Sequence, residues 1–155
     1  MIKFCVEQWD KNKDVLREYL KSRTDLNSCS YLDLVKAVVE HIFNRNADLL
    51  CYDEYNADKI TEIDNGDYQG TLIFLIPRNT YQPDESEYLM TYVGYGSCSV
   101  CDTLQRIQEW DDGPLSTSQL DDFMRLCKHL VQNTIKPYNH GWRYGEKYDA
   151  VEDAE

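Results

Sequence analysis

The apolar residues of this 155-residue chain change their spacing twice, and that change limits the fold more than any other feature. From Tyr31 to about Arg45, the residues Tyr31, Leu34, Val35, Val38, Val39, Ile42 and Phe43 recur at helical spacing. Between Lys59 and Val93 the pattern becomes short strand-like runs. Lys59–Asp64 alternates polar and apolar, Asn65-Gly66 is a hairpin dipeptide that tolerates positive φ, and Tyr68–Ile76 and Tyr88–Val93 form two further runs. From Leu120 to Ile135 helical spacing returns. Helices at both ends with strands between them predict an α+β domain. The simplest version is a three-stranded antiparallel meander with two N-terminal and two C-terminal helices packed on it.

Local signals place the element ends. Val15, Leu16, Tyr19 and Leu20 form one short stripe after Asp10. Ser28 or Ser30 can cap the second helix, Asp33 suits its positive end, and Asn44 to Asn46 can stop it. Gly70 marks a bulge or close approach, and Pro77 ends the second strand. A third helix begins near Cys101 or Asp102, uses Leu104, Ile107 and Trp110, and stops at Asp111-Asp112-Gly113-Pro114. Ser116 with Gln119 has capping-box spacing. The following stripe is Leu120, Phe123, Met124, Cys127, Leu130, Val131 and Ile135, with Pro137 as its stop. Residues 1–137 read as a single domain, and 138–155 as a polar acidic tail that Tyr138, Trp142, Tyr144 and Tyr148 could pin back.

Composition narrows the function. The chain is 42% apolar, enough for a core, and carries a formal charge of −12. That charge argues against gripping nucleic acid through its phosphates and against an anionic membrane surface. Glu7 and Asp10 leave no apolar stretch of export-signal type near Met1, and the run Leu72–Ile76 is far too short to span a bilayer, so a cytosolic setting is expected. There the six cysteines read mostly as small buried hydrophobes, Cys127 above all.

Charge is concentrated in the middle of the chain. Residues 48–92 hold 10 acidic and 2 basic side chains, and seven of the 12 tyrosines fall in or beside this segment. Tyrosine offers large contact area with few rotors and a polar tip. Asp53, Glu54, Tyr55, Asp64, Asp67, Tyr68, Asp84, Glu85, Glu87 and Tyr88 are therefore the candidate partner-binding residues, fit for a basic surface on another protein. The plain alternative is a solvated acidic face with tyrosines at the rim of the core.

A second candidate site is the turn from Gly94 to Asp102, which joins a strand to a helix. Gly94 and Gly96 permit unusual backbone angles, and Ser97, Ser99 and Asp102 can cap the helix. These five residues could bind an anion, although no basic residue lies between Arg78 and Arg106. Cys98 and Cys101 form Cys-x-x-Cys at a helix start, where thiol pKa values fall, so they are the reactive groups if the site is thiol-active. The pair supplies only two of the four ligands of a structural zinc, and no metal or other cofactor is expected. Against all three stands a tight capped turn with a purely structural role. His41 and His129 sit in helical patterns and read as packed or surface residues. No hydrolase triad, phosphate loop or dinucleotide fingerprint occurs.

Asp67-Tyr68-Gln69-Gly70-Thr71-Leu72-Ile73-Phe74 and the stretch Tyr92–Gln105, above all Gly96-Ser97-Cys98-Ser99-Val100-Cys101-Asp102, resemble a family of small, acidic bacteriophage and prophage proteins. The likeness covers roughly residues 60–110. It implies the cytosol of an infected or lysogenic bacterium and carries no activity with it. Accessory proteins of that kind commonly bind and redirect a host protein, and some block defence nucleases with acidic surfaces. The preferred expectation is a non-enzymatic binding protein of this type. The alternatives are a small-anion, nucleotide or thiol site at Gly94–Asp102, and a structural or assembly role in the virion.

Overall fold

A computed structural model describes residues 1–45, 54–108 and 114–136. The expected tail, 138–155, lies outside these, as do Asp53, Trp110 and the stop at 111–113. The architecture is the expected α+β one. Helix α1 (Ile2–Ser22) is followed by α2 (Tyr31–Val38), which runs on as a π-helical turn through Phe43. Strands β1 (Thr61–Asp64), β2 (Gly70–Pro77) and β3 (Tyr88–Tyr95) come next, then the short helix α3 (Thr103–Ile107) and finally α4 (Thr117–Gln132). The sheet order is β1-β2-β3 and both pairings are antiparallel.

Capping explains where α2 and α4 begin. Ser30 Oγ accepts from the Asp33 N–H at 3.2 Å while the Ser30 N–H donates to Asp33 Oδ2 at 2.9 Å, a reciprocal box. Ser116 Oγ accepts from the Gln119 N–H at 3.1 Å. Helix α1 is longer than its apolar stripe predicts because two polar residues, Gln8 and Asn12, share the buried face with Cys5, Trp9, Leu16 and Leu20. Asn12 Nδ2 donates to the Ile42 carbonyl at 2.9 Å, in the last turn of the α2 segment, where carbonyls lack helical partners. Helix α4 stops at Gln132, before Pro137. Ile135 is therefore not on its stripe and instead exchanges two 2.8 Å hydrogen bonds with Met90 at the edge of β3.

The sheet is apolar on its helix side. Phe74, Ile76 and Leu89 are fully buried there beside Leu20, Leu34, Phe43, Phe123 and Leu130. Truncating such a side chain to Ala costs about 2–5 kcal/mol. The opposite face carries the cross-strand row Ile63, Ile73, Tyr92, with Ile63 and Tyr92 exposed. The β1–β2 connection is wider than a two-residue hairpin, since Asn65 N–H reaches the Thr71 carbonyl at 3.3 Å and Thr71 N–H donates back to Asn65 Oδ1 at 2.7 Å. Gly66 serves it by close approach rather than by a positive φ. A Cβ there would stand 2.1 Å from the Gln69 carbonyl oxygen.

One side chain ties the end of the α2 segment to Tyr55. The Asn44 amide imitates a peptide group toward Tyr55, donating from Nδ2 to its carbonyl at 2.8 Å and accepting from its N–H at 2.9 Å.

Candidate functional site

The sequence candidates gather at the two ends of the sheet. The eight residues of β2 separate these ends by roughly 25 Å. At one end, after β2, lie Glu54, Tyr55, Asp84, Glu85, Glu87 and Tyr88. Here Tyr88 is half-buried and Tyr81, in the β2–β3 connection, is 93% exposed, but Tyr55 offers no contact area. Tyr55 is buried, packed edge-on to Phe43 with ring centroids 6.5 Å apart, and the Arg78 guanidinium lies 5.3 Å from its ring centroid. Burial pushes the Tyr55 phenol above its ordinary range. Asp84 and Glu87 are bound to one another locally, the Asp84 N–H donating to Glu87 Oε2 at 2.8 Å.

At the other end the two sequence candidates meet. Gly70 pairs with Tyr95 and Thr71 with Gly94, which brings the β1–β2 turn beside the cysteine turn. Asp64 joins them, with Oδ1 accepting from the Tyr95 hydroxyl at 2.6 Å and from the Gly66 N–H at 2.9 Å. These bonds hold the Asp64 carboxyl below its usual range and push the Tyr95 phenol up to about 12. Between these anchors the turn projects Asp67 and Tyr68, with Tyr68 83% exposed. On the neighbouring turn Ser97, Cys98, Ser99, Val100 and Cys101 are all exposed, Val100 at 86%.

Asp102 organises the cysteine turn from inside. It is 4% exposed. Its Oδ2 accepts from the Gly96 N–H at 3.0 Å, and its Oδ1 from the Gln105 N–H at 2.8 Å and from the Tyr31 hydroxyl at 3.2 Å. The Tyr31 oxygen in turn accepts from the Leu104 N–H at 3.1 Å. Burial is the main reason that the Tyr31 phenol is pushed up to about 12. Two N–H groups of the first turn of α3 are thus partnered within the chain, and Asp102 fills the place where an outside anion would sit. Gly94 is an ordinary residue of β3 with room for a Cβ. Gly96 is required by crowding, because a Cβ there would lie 2.3 Å from the Cys101 Cβ.

The two exposed sulfurs are in contact, with Sγ atoms 3.1 Å apart. Cys101 N–H and Asp102 N–H both donate to the Cys98 carbonyl, at 3.0 and 2.8 Å, closing the turn between them. The Cys98 thiol is drawn below its usual range by the Cys101 thiol and by the N–H groups of Cys101 and Val100. Cys101 is pushed up by the same contact and by the charge on Cys98. Cys5, Cys29 and Cys127 are buried instead, and burial lifts their thiols to about 11, 11 and 12.

Of the histidines, His41 is half-buried, its ring centroid 4.1 Å from that of Tyr19, and neither ring nitrogen has a hydrogen-bond partner. Burial pulls its pKa down. His129 lies exposed in a cleft of about 420 Å³ with Arg106 and Arg125. Among the described residues no cluster of three or more His, Cys, Asp or Glu could hold a metal ion, and no helix is long and apolar enough to cross a membrane. Sequence reasoning missed Tyr31 as a partner of Asp102, since the two stand 71 positions apart and Tyr31 reads as one more member of an apolar stripe. Compared with protein-family models, curated proteins and solved structures, the chain matches none.

Proposed function

We propose that this protein is a non-enzymatic binding protein that sets the acidic, tyrosine-bearing end of its sheet against a basic surface of a partner protein. The observation that carries this reading is the β1–β2 turn. Asp67 and Tyr68 project from a loop whose base is fixed by the Asp64–Tyr95, Asp64–Gly66 and Asn65–Thr71 hydrogen bonds. A contact surface already held in one shape loses little freedom on binding, and an exposed tyrosine next to a carboxylate supplies both area and charge. The formal charge of −12 adds long-range attraction, which speeds encounter with a basic surface and weakens as salt rises. The resemblance of residues 60–110 to phage and prophage proteins gives the reading a setting, the bacterial cytosol. In that setting the nucleic-acid channel of a host defence nuclease is one surface of the right charge.

The experiment is affinity capture from bacterial lysate with the full chain and with a Tyr68→Ala, Asp67→Lys double variant. The expected outcome is a basic protein retained at low salt, lost at high salt, and weakened at least tenfold by the double variant. Capture of no basic protein at either ionic strength, or equal capture by both chains, would overturn the reading.

A further inference from the structure

We propose that Cys98 and Cys101 form a reversible redox pair: a small disulfide converts this exposed dithiol into an intramolecular disulfide, and a small thiol reopens it. The proposal does not rest on the docking reading.

Three features of the turn carry it. The sulfurs already touch at 3.1 Å, so closure requires a shift of about 1 Å toward the ordinary S–S bond length. The backbone that brings them together is fixed by the two N–H donors on the Cys98 carbonyl and by Asp102 beneath. Both thiols are open to solvent, while Cys5, Cys29 and Cys127 are buried in the core. Close approach, a rigid loop and access rarely coincide by packing alone, and here packing gives nothing in return. Neither sulfur is buried, and Gly96 must lack a side chain to leave Cys101 its place.

The chemistry balances with a small disulfide RSSR as oxidant. The Cys98 thiolate attacks one sulfur of RSSR, an S–S bond forms between Cys98 and RS, and the second RS leaves as thiolate and takes up a proton. The Cys101 thiol then gives up its proton and attacks Cys98 Sγ. The Cys98–Cys101 bond forms and the remaining RS leaves as thiol. Two cysteines lose two protons and two electrons in total, and RSSR gains them as two RSH. Cys98 is the attacking residue because the Cys101 thiol in contact with it and the nearby N–H groups of Cys101 and Val100 favour its thiolate. Once Cys98 is in the mixed disulfide its charge is gone, and with it a cause of the raised Cys101 pKa. The second step is therefore eased by the first. The acidic chain favours a cationic oxidant over an anionic one.

The test uses the reduced full-length protein in cystamine and cysteamine mixtures of graded ratio, quenched by alkylation and read by intact and peptide mass. The wild type is expected to lose two hydrogens, mapped to the peptide that joins Cys98 and Cys101, with full reversal by cysteamine. Cys101→Ser is expected to accumulate a cysteamine adduct on Cys98. Cys98→Ser is expected to take up cystamine about tenfold more slowly. Complete alkylation of both residues at every ratio, a stable adduct on wild-type Cys98, or pairing with another cysteine would overturn the proposal. The wild-type result decides the matter even if a variant fails to fold.

Discussion

Two aspartates in this molecule make nearly the same bonds in different surroundings. Asp102 accepts from the Tyr31 hydroxyl and from two backbone N–H groups inside the protein. Asp64 accepts from the Tyr95 hydroxyl and one N–H group at the surface. The bonded groups are alike, and only the solvent differs. Water can replace every partner of Asp64 but none of those of Asp102, because a buried donor that loses its acceptor bears the full cost of its desolvation. The bonds around Asp102 therefore hold the fold together, whereas those around Asp64 set the shape of an exposed loop. Counting hydrogen bonds alone would rank the two sites as equals.

Substitutions should separate them in a definite order. Asp102→Ala strands the Gly96 and Gln105 N–H groups and the Tyr31 hydroxyl, and is expected to cost about 3 kcal/mol or more in urea denaturation. A loss below about 1 kcal/mol would mean that water enters the turn and that burial is not the deciding variable. Tyr31→Phe removes one donor and one acceptor and should cost about 1–2 kcal/mol by the same measurement. Alkaline titration sharpens the contrast further. The folded Tyr31 phenol lies near 12 against an ordinary 10, so its share of stability is complete below pH 10 and declines as pH rises toward 12. Tyr31→Phe should flatten that decline in a series of urea midpoints. The smallest effect belongs to Asp64→Asn, with no resolvable shift in the urea midpoint. A clear loss there would show that the exposed turn is part of the cooperative unit.

The same contrast explains what could be read from the sequence. Signals that act between near neighbours were legible. The Ser30 and Ser116 caps, the stripe of α4 and the change of spacing that defines three strands all lie within a few residues of the elements they specify. Features completed by a distant residue were not. The first half of α1 is hidden because Gln8 and Asn12 interrupt its stripe, and the group that satisfies Asn12 is a carbonyl 30 positions away. Asp102 is readable as a helix cap, yet its buried hydroxyl partner comes from α2. Tyr55 has the composition of a contact residue, and only the packing of Phe43 and Arg78 around it shows that it is spent on the interior. The exposed end of the sheet was legible residue by residue, but the strand register alone brings its acidic turn beside the cysteines.

The amide of Asn44 has one more consequence. By standing in for a peptide unit against Tyr55, it fastens the chain on both sides of positions 45–54 to a single point. Losing it would free both points at once, since the carbonyl and the N–H of Tyr55 depend on the same side chain, so Asn44→Ala should cost more than the removal of either bond alone.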